Sequence, residues 1–309
     1  MNITINSAIA LLKRESWEHR SFWLVPGVLA GLMIIMFLWA MLYVIPDTIG
    51  YDLWVDRMMR AEPEAIDHLG SVFIPSLALP FVIIMAFMIP FYLLDSLYAE
   101  RRDRSILFWK SLPVNDTMTV LSKWGAVLLV LPAMVFAIVI VLSLILTFLT
   151  GIFAIFGGGN AWTLVWQHYG LFSGGATLLI GFYAEALWYL PVMGWLMLAS
   201  AWAKKAPFLW ASLPPLAIAI LEEMFFDSNR FLEMAGERLI PFEGTEGFDT
   251  RIEREFEMFD GHLQFSGTPG FDASLLGDLF ATPGFWYGLI FTAACTAGAI
   301  WLRRYRDES

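Results

Sequence analysis

Charged side chains divide this sequence into blocks. Windows without Asp, Glu, Lys or Arg run from Ser21 to Pro46, Leu69 to Leu94, Trp124 to Ala184, Ala186 to Ala203, Ala206 to Leu221 and Leu279 to Leu302. A helix needs about 20 predominantly apolar residues to cross the hydrocarbon of a bilayer. The third window is long enough for more than one crossing, and the run Gly157, Gly158, Gly159, Asn160 marks the break inside it. Spans are therefore expected at 21–45, 70–94, 124–150, 171–200, 206–226 and 281–302. Six crossings return the chain to the side on which it starts.

The polar stretches between the spans have patterns of their own. Ile5, Ile9 and Leu12 share one helical face ahead of Lys13, Arg14 and Trp17, which predicts a helix within 1–20 lying on the membrane surface. Residues 95–123 read as two short helices around a turn: Pro113 stops the first, and Asn115 or Asp116 caps the second. Residues 227–280 carry one amphipathic piece with Phe231, Leu232, Met234, Ala235, Leu239 and Ile240, and another with Ile252, Phe256 and Phe259. They predict a small folded cap. The fold class expected is thus an all-α membrane protein, one polytopic domain over 1–309. It has six transmembrane helices, an N-terminal interfacial helix, a hairpin between spans two and three, and a cap between spans five and six.

Basic residues orient this layout, because short loops rich in Lys and Arg stay in the cytoplasm. With both termini inside, 13 of the 19 basic residues lie on the inner side. Acidic residues sort the other way, 18 outside against 8 inside, so the net charge of -10 belongs to the outer surface. Tryptophan and tyrosine cluster near the expected borders, among them Trp17, Trp23, Trp124 and Trp202 on the inner side and Tyr43, Trp162 and Trp286 on the outer. The hairpin at 95–123 is then cytoplasmic and the cap at 227–280 extracytoplasmic.

Composition agrees and narrows the chemistry. Of 309 residues, 58% are apolar and 16% charged, against roughly 25% charged in soluble domains. Nucleic-acid binding is excluded, since it calls for a basic face. A lone Cys295 gives no intrachain disulfide and no cysteine-rich metal site. The phosphate-cradling pattern G-x-x-x-x-G-K-[ST] fails because the sequence has no Gly-Lys pair. The zinc-protease pattern fails too, as no histidine is followed by glutamate. Glu222 and Glu223 resemble the paired glutamates of intramembrane prenyl-protein proteases, but Asp227 stands where that pattern wants arginine. No catalytic, cofactor-binding or metal-binding residue is expected.

Within the spans, Glu185 is the one deep acidic side chain, and an acidic residue at the bilayer centre costs up to about 3 kcal/mol on the insertion scale. It is either a protonated or hydrogen-bonded carboxyl at a helix interface, or a polar point on a translocation path. Phe81, Met85 and Met88 could line that path as a pliable apolar surface, or serve in ordinary helix packing. A secondary transporter or channel coupled to ions through Glu185 is the alternative function, and an intramembrane hydrolase a third.

The hairpin carries the most specific pattern. It reads Glu100, Arg101, Arg102, Asp103, Arg104, Ser105, then Leu112, Pro113, Val114, Asn115 and Asp116, with Lys123 just before the third span. This resembles the permease subunits of the type-two class of ATP-binding-cassette transporters. In these permeases "E-R", a short helix, "L-P-[VL]-[ST]" and a lysine join spans two and three. Such loops often continue with Gly and Thr after the E-R; here Arg104 and Ser105 follow. The order of parts is similar over nearly the whole chain. The resemblance implies a multi-pass subunit of the plasma membrane, the inner membrane in a bacterium. It pairs with a second permease copy or homologue and with cytosolic P-loop ATPase subunits that bind ATP and Mg. Spans two and five then line a central path, export is the direction, and Glu100, Arg101, Arg104, Pro113, Asp116 and Lys123 couple to the ATPase. Membrane lipid as the only contact of the hairpin is the simpler alternative, against which the interleaved acids Glu100, Asp103 and Asp116 speak.

Overall fold

The computed structural model describes residues 2–61, 63–106, 115–240 and 274–305, and among these every regular element is a helix. The helices are α1 (Asn2–Glu18), α2 (Ser21–Thr48), α3 (Tyr51–Arg60), α4 (Pro63–Ser96), α5 (Tyr98–Arg102), α6 (Asp116–Phe156) and α7 (Ala161–Leu164). They continue as α8 (Leu171–Trp188), α9 (Leu190–Trp202), α10 (Pro207–Phe226), α11 (Arg230–Glu237), α12 (Ser274–Ala281) and α13 (Pro283–Tyr305). Six segments are long and apolar enough to cross a membrane: α2, α4, α6, the run from α7 to α8, α10 and α13. Pro113 and the amphipathic piece at 252–259 lie outside the described residues.

Two boundaries differ from the sequence reading. The fourth span, expected as one helix over 171–200, is divided at Tyr189, which sits at φ -81°, ψ -1°. Pro191 has no N–H to give to Leu187 and its ring crowds that carbonyl, so the chain turns there and resumes as the 13-residue α9. The second helix of the hairpin is not separate from the third span either. From Asp116 the backbone winds continuously to Phe156 over 41 residues. A single π turn at Ala126–Val130 lies just past the boundary expected between Lys123 and Trp124. Asn115 does occupy the N-cap of this helix. The glycine break after Phe156 is where the sequence placed it, with Gly158 at φ 78°.

A second π turn, Ala40–Val44, shows how α2 tolerates Pro46. In this turn the Ile45 N–H bonds five residues back to Ala40 O. The next donor in that register would be residue 46, a proline without N–H, so Met41 O loses its partner. The Tyr51 hydroxyl at the start of α3 donates to Met41 O at 2.5 Å instead. A buried or lipid-facing carbonyl needs such a replacement, because hydrocarbon offers no water.

Packing is most extensive between α9 and α13. A Cβ on Gly194 would lie 3.1 Å from the Thr292 Cα, one on Gly288 would lie 2.6 Å from Pro191, and one on Gly298 would lie 3.1 Å from Leu198. Small residues let these backbones approach, the usual way helices gain contact where lipid is as apolar as leucine. α4 packs against α8 and α9, and α6 against α2. Phe22, Ile74, Phe81, Leu93, Leu131, Leu142 and Met197 fill the shared core. α2 and α10 keep wide apolar faces outward, including Ile35, Met36 and Trp39 on the first and Leu216, Met224 and Phe225 on the second.

The turn that follows α11, residues 238–240, docks over the division at Tyr189. Trp188 donates from Nε1 to Ile240 O at 3.1 Å, and the Arg238 guanidinium lies 3.8 Å over the Trp188 ring. Arg238 also donates to the carbonyls of Trp188 and Gly284, tying the cap to the start of α13. Glu222 accepts from the Phe231 N–H at 2.8 Å and from the Ser228 hydroxyl at 3.0 Å, which anchors the first turn of α11.

Candidate functional site

The hairpin residues meet at one end of the bundle, the end shared by α1, α5, the start of α6 and the end of α13. α4 stops at Ser96, and the turn into α5 is held from across the bundle by Ser200 of α9. The Ser200 hydroxyl donates to Leu94 O at 2.7 Å and accepts from the N–H groups of Leu97 and Tyr98 at 3.1 and 3.0 Å. Those two amides are among the donors that a new helix leaves without intrahelical partners. The turn points Glu100 inward and Arg101 toward the end of α9.

Glu100 is 5% exposed and faces three cations. Its Oε1 lies 3.0 Å from Lys123 Nζ and 3.9 Å from Arg14 Nη2, and its Oε2 pairs with Arg303 Nη1. Lys123 reaches a second acid, Glu15 of α1, at 3.2 Å, and Glu15 Oε2 accepts from the Tyr92 hydroxyl at 2.7 Å. Arg303 Nε holds Asp116 Oδ1 at 3.0 Å. Glu15, Glu100, Lys123 and Arg303 are all buried, two of each sign, with Arg14 and Asp116 at the rim. Five helices converge on this node. A buried ion pair adds little net stability over an apolar packing, but removing one partner strands an uncompensated buried charge.

Arg101 does different work. Its Nη2 donates to Ser200 O at 2.6 Å and Ala203 O at 2.9 Å, the last carbonyls of α9. A cation at a helix C-terminus satisfies orphan acceptors and opposes the negative end of the helix dipole. Arg102, Asp103 and Arg104 stay exposed. Arg104 holds φ 55°, a left-handed conformation that glycine enters without strain.

The structure thus unites Glu100, Asp116 and Lys123 inside the chain, sets Arg101 on α9 and leaves Arg104 outward. It does not gather the residues considered for a path. Phe81 and Met85 are buried in the core, Met88 is half-buried nearer the node, and Glu185 is half-buried on α8, one turn before the division at Tyr189. Ala184 beside Glu185 packs against Leu279 and Phe285. Among the described residues no group of three or more His, Cys, Asp or Glu could hold a metal ion.

Sequence reasoning missed Glu15, Tyr92, Ser200 and Arg303. Glu15 was accessible: Leu11, Leu12 and Glu15 share a face at spacings of three and four, and that face, not the one with Ile9, is buried. Ile9 and Trp17 point outward instead, with Lys13 Nζ 4.8 Å over the Trp17 ring. Arg303 looked like a flanking anchor because nothing local distinguishes it from Arg304.

His19 borders the node, with its ring against Phe22 and Tyr92 and its Nε2 3.9 Å from Glu15 Oε2. Burial lowers its pKa below 6.5, against the opposing pull of Glu15, Glu18 and Asp95, while Lys123 adds to the depression. The folded chain therefore prefers the neutral ring more than the unfolded chain does. The stability from this preference is complete above the ordinary value and is lost as pH falls through the depressed one. Thermal unfolding of the purified chain should show a lower midpoint at pH 5 than at pH 7.5. A His19→Phe variant should flatten that difference, and equal slopes for the two proteins would remove His19 as its source.

No family model matches this chain, and no curated protein or solved structure matches it.

Proposed function

We propose that this chain is the transmembrane permease subunit of an ATP-driven transporter of the ATP-binding-cassette type, working as an exporter. It sits in the plasma membrane with both termini cytoplasmic, pairs with a second copy or a homologous permease, and takes its energy from cytosolic P-loop ATPase subunits that bind ATP and Mg. The observation that carries this reading is the attachment of the hairpin. Its E-R pair is bolted to the membrane helices from two sides, Glu100 to α1, α6 and α13, and Arg101 to the end of α9.

A hairpin fixed in this way moves the bundle when it is pushed, whereas a loop resting on lipid would yield by itself. Arg102, Asp103 and Arg104, exposed on the described part of the hairpin, meet the ATPase, and Glu100, Asp116 and Lys123 are positioning residues that transmit the displacement. The path for cargo would open between this chain and its permease partner. That fits Phe81 and Met85 being packed in the core and the apolar faces of α2 and α10 being turned outward.

Isolation from native membranes tests the reading. The tagged full chain should retain a subunit with a phosphate-cradling loop, and the chain alone should hydrolyse no ATP. Arg104→Glu should lose the subunit while the chain remains in the membrane. Transport driven by a proton gradient without ATP, or tight nucleotide binding by the isolated chain, would overturn it.

A further inference from the structure

At the end of the bundle that holds the node, a groove of about 600 Å³ runs between the start of α2, the last turns of α4 and the start of α10. Its walls are Phe22, Phe87, Met88, Phe91 and Phe208. Three of these rings, Phe87, Phe91 and Phe208, are 64, 66 and 63% exposed, so the groove is apolar and uncovered by this chain. Its upper end is polar, with His19 and Asp95. Asp95 lies 3.8 Å from Arg102, which offsets its charge.

Three helix ends bound the groove, each where an apolar span begins or stops, which is where a chain of this composition meets the border of the hydrocarbon. From Asp95 the wall descends along α4 to Phe87, about 12 Å at a rise of 1.5 Å per residue. Exposed cations adjoin the lining along the chain. Arg20 lies between the lining residues His19 and Ser21, and Lys205 directly precedes the lining residue Ala206; both are exposed, as is Lys204. An apolar, aromatic groove at the end of three apolar spans is thus flanked in sequence by exposed cations, and a lipid with a negative headgroup is complementary to that combination.

We propose that the groove is a binding site for one anionic phospholipid of the surrounding leaflet, with an acyl chain along Phe87, Phe91 and Phe208 and the phosphate between Arg20 and Lys205. The site requires only that the helices lie in a bilayer and is independent of the transport reading. Bound there, the lipid touches α2, α4 and α10 beside the node.

The test uses the purified full chain in nanodiscs containing phosphatidylglycerol with a photoreactive group on its acyl chain, followed by mapping of the adducts. Adducts should concentrate at 19–22, 87–95 and 206–208 relative to the equally lipid-facing stretch 35–39 of α2. Combined Arg20→Glu and Lys205→Glu should reduce that enrichment by roughly tenfold or more, from about 1 kcal/mol per cation at a membrane surface. Phe91→Trp, a change at an exposed ring, should reduce it by narrowing the groove, and it carries the test alone if the charge variant fails to fold. A phosphatidylcholine probe should label the groove no more than α2. Equal labelling of groove and α2, equal labelling by the two lipids, or enrichment that survives both variants would each overturn the site.

Discussion

Glu100→Ala is expected to destabilise the folded chain by about 3–5 kcal/mol, the range found when one partner of a buried ion pair is removed. The cause is what the change leaves behind. Lys123 and Arg303, 2 and 5% exposed, would face each other with Glu15 and Asp116 as their remaining acids. Glu100→Gln should cost less, because the amide keeps the shape and still accepts a hydrogen bond. Replacing Glu15, Glu100, Lys123 and Arg303 together with apolar residues of similar volume should cost least, since no charge is then stranded. Midpoints of thermal unfolding in one detergent, read by tryptophan fluorescence, rank the variants. If Glu100→Ala unfolds within a degree of the parent, the node is not a structural junction and the hairpin is not rigidly attached.

Gly194→Leu should be as damaging for a different reason. The new Cβ would stand 3.1 Å from the Thr292 Cα and 3.3 Å from its Cγ2, and the first of these is backbone. No rotamer relieves that contact, so α9 and α13 must separate, and overpacking of this kind costs about 1–3 kcal/mol or more. Gly31→Leu on α2 is the control: a Cβ there meets nothing within 4 Å, and leucine favours a helix by roughly 1 kcal/mol over glycine. The first variant should lose monodispersity on heating well before the parent, and the second should not. Equal behaviour of the pair would show that the seam between α9 and α13 is loose.

The spans were legible in the sequence because lipid imposes a rule on every residue that faces it, and a run without charge records that rule directly. The glycine break after Phe156 was legible for the same local reason. What escaped was set by distant partners. The division at Tyr189 falls inside an apolar stretch, and proline is tolerated in many membrane helices, so Pro191 alone did not predict it. The continuity of α6 across residue 123 was hidden because Lys123 reads as the polar edge of a span. It is buried by Glu15 and Glu100, 108 and 23 residues earlier in the chain. Glu100, Asp116 and Lys123 were nominated together, but as surface contacts. Glu100 and Asp116 are drawn together by Arg303, 203 positions from Glu100, and no local pattern announces a pairing of that separation.

The two-against-two composition of the node has an electrical consequence. A charge carried across a membrane potential gains or loses about 2.3 kcal/mol per 100 mV, enough to bias any movement that displaces unpaired charge. Glu15, Glu100, Lys123 and Arg303 sum to zero, and Arg14 and Asp116 at the rim add one of each sign. Shifted as a unit, the assembly does no net work against the field.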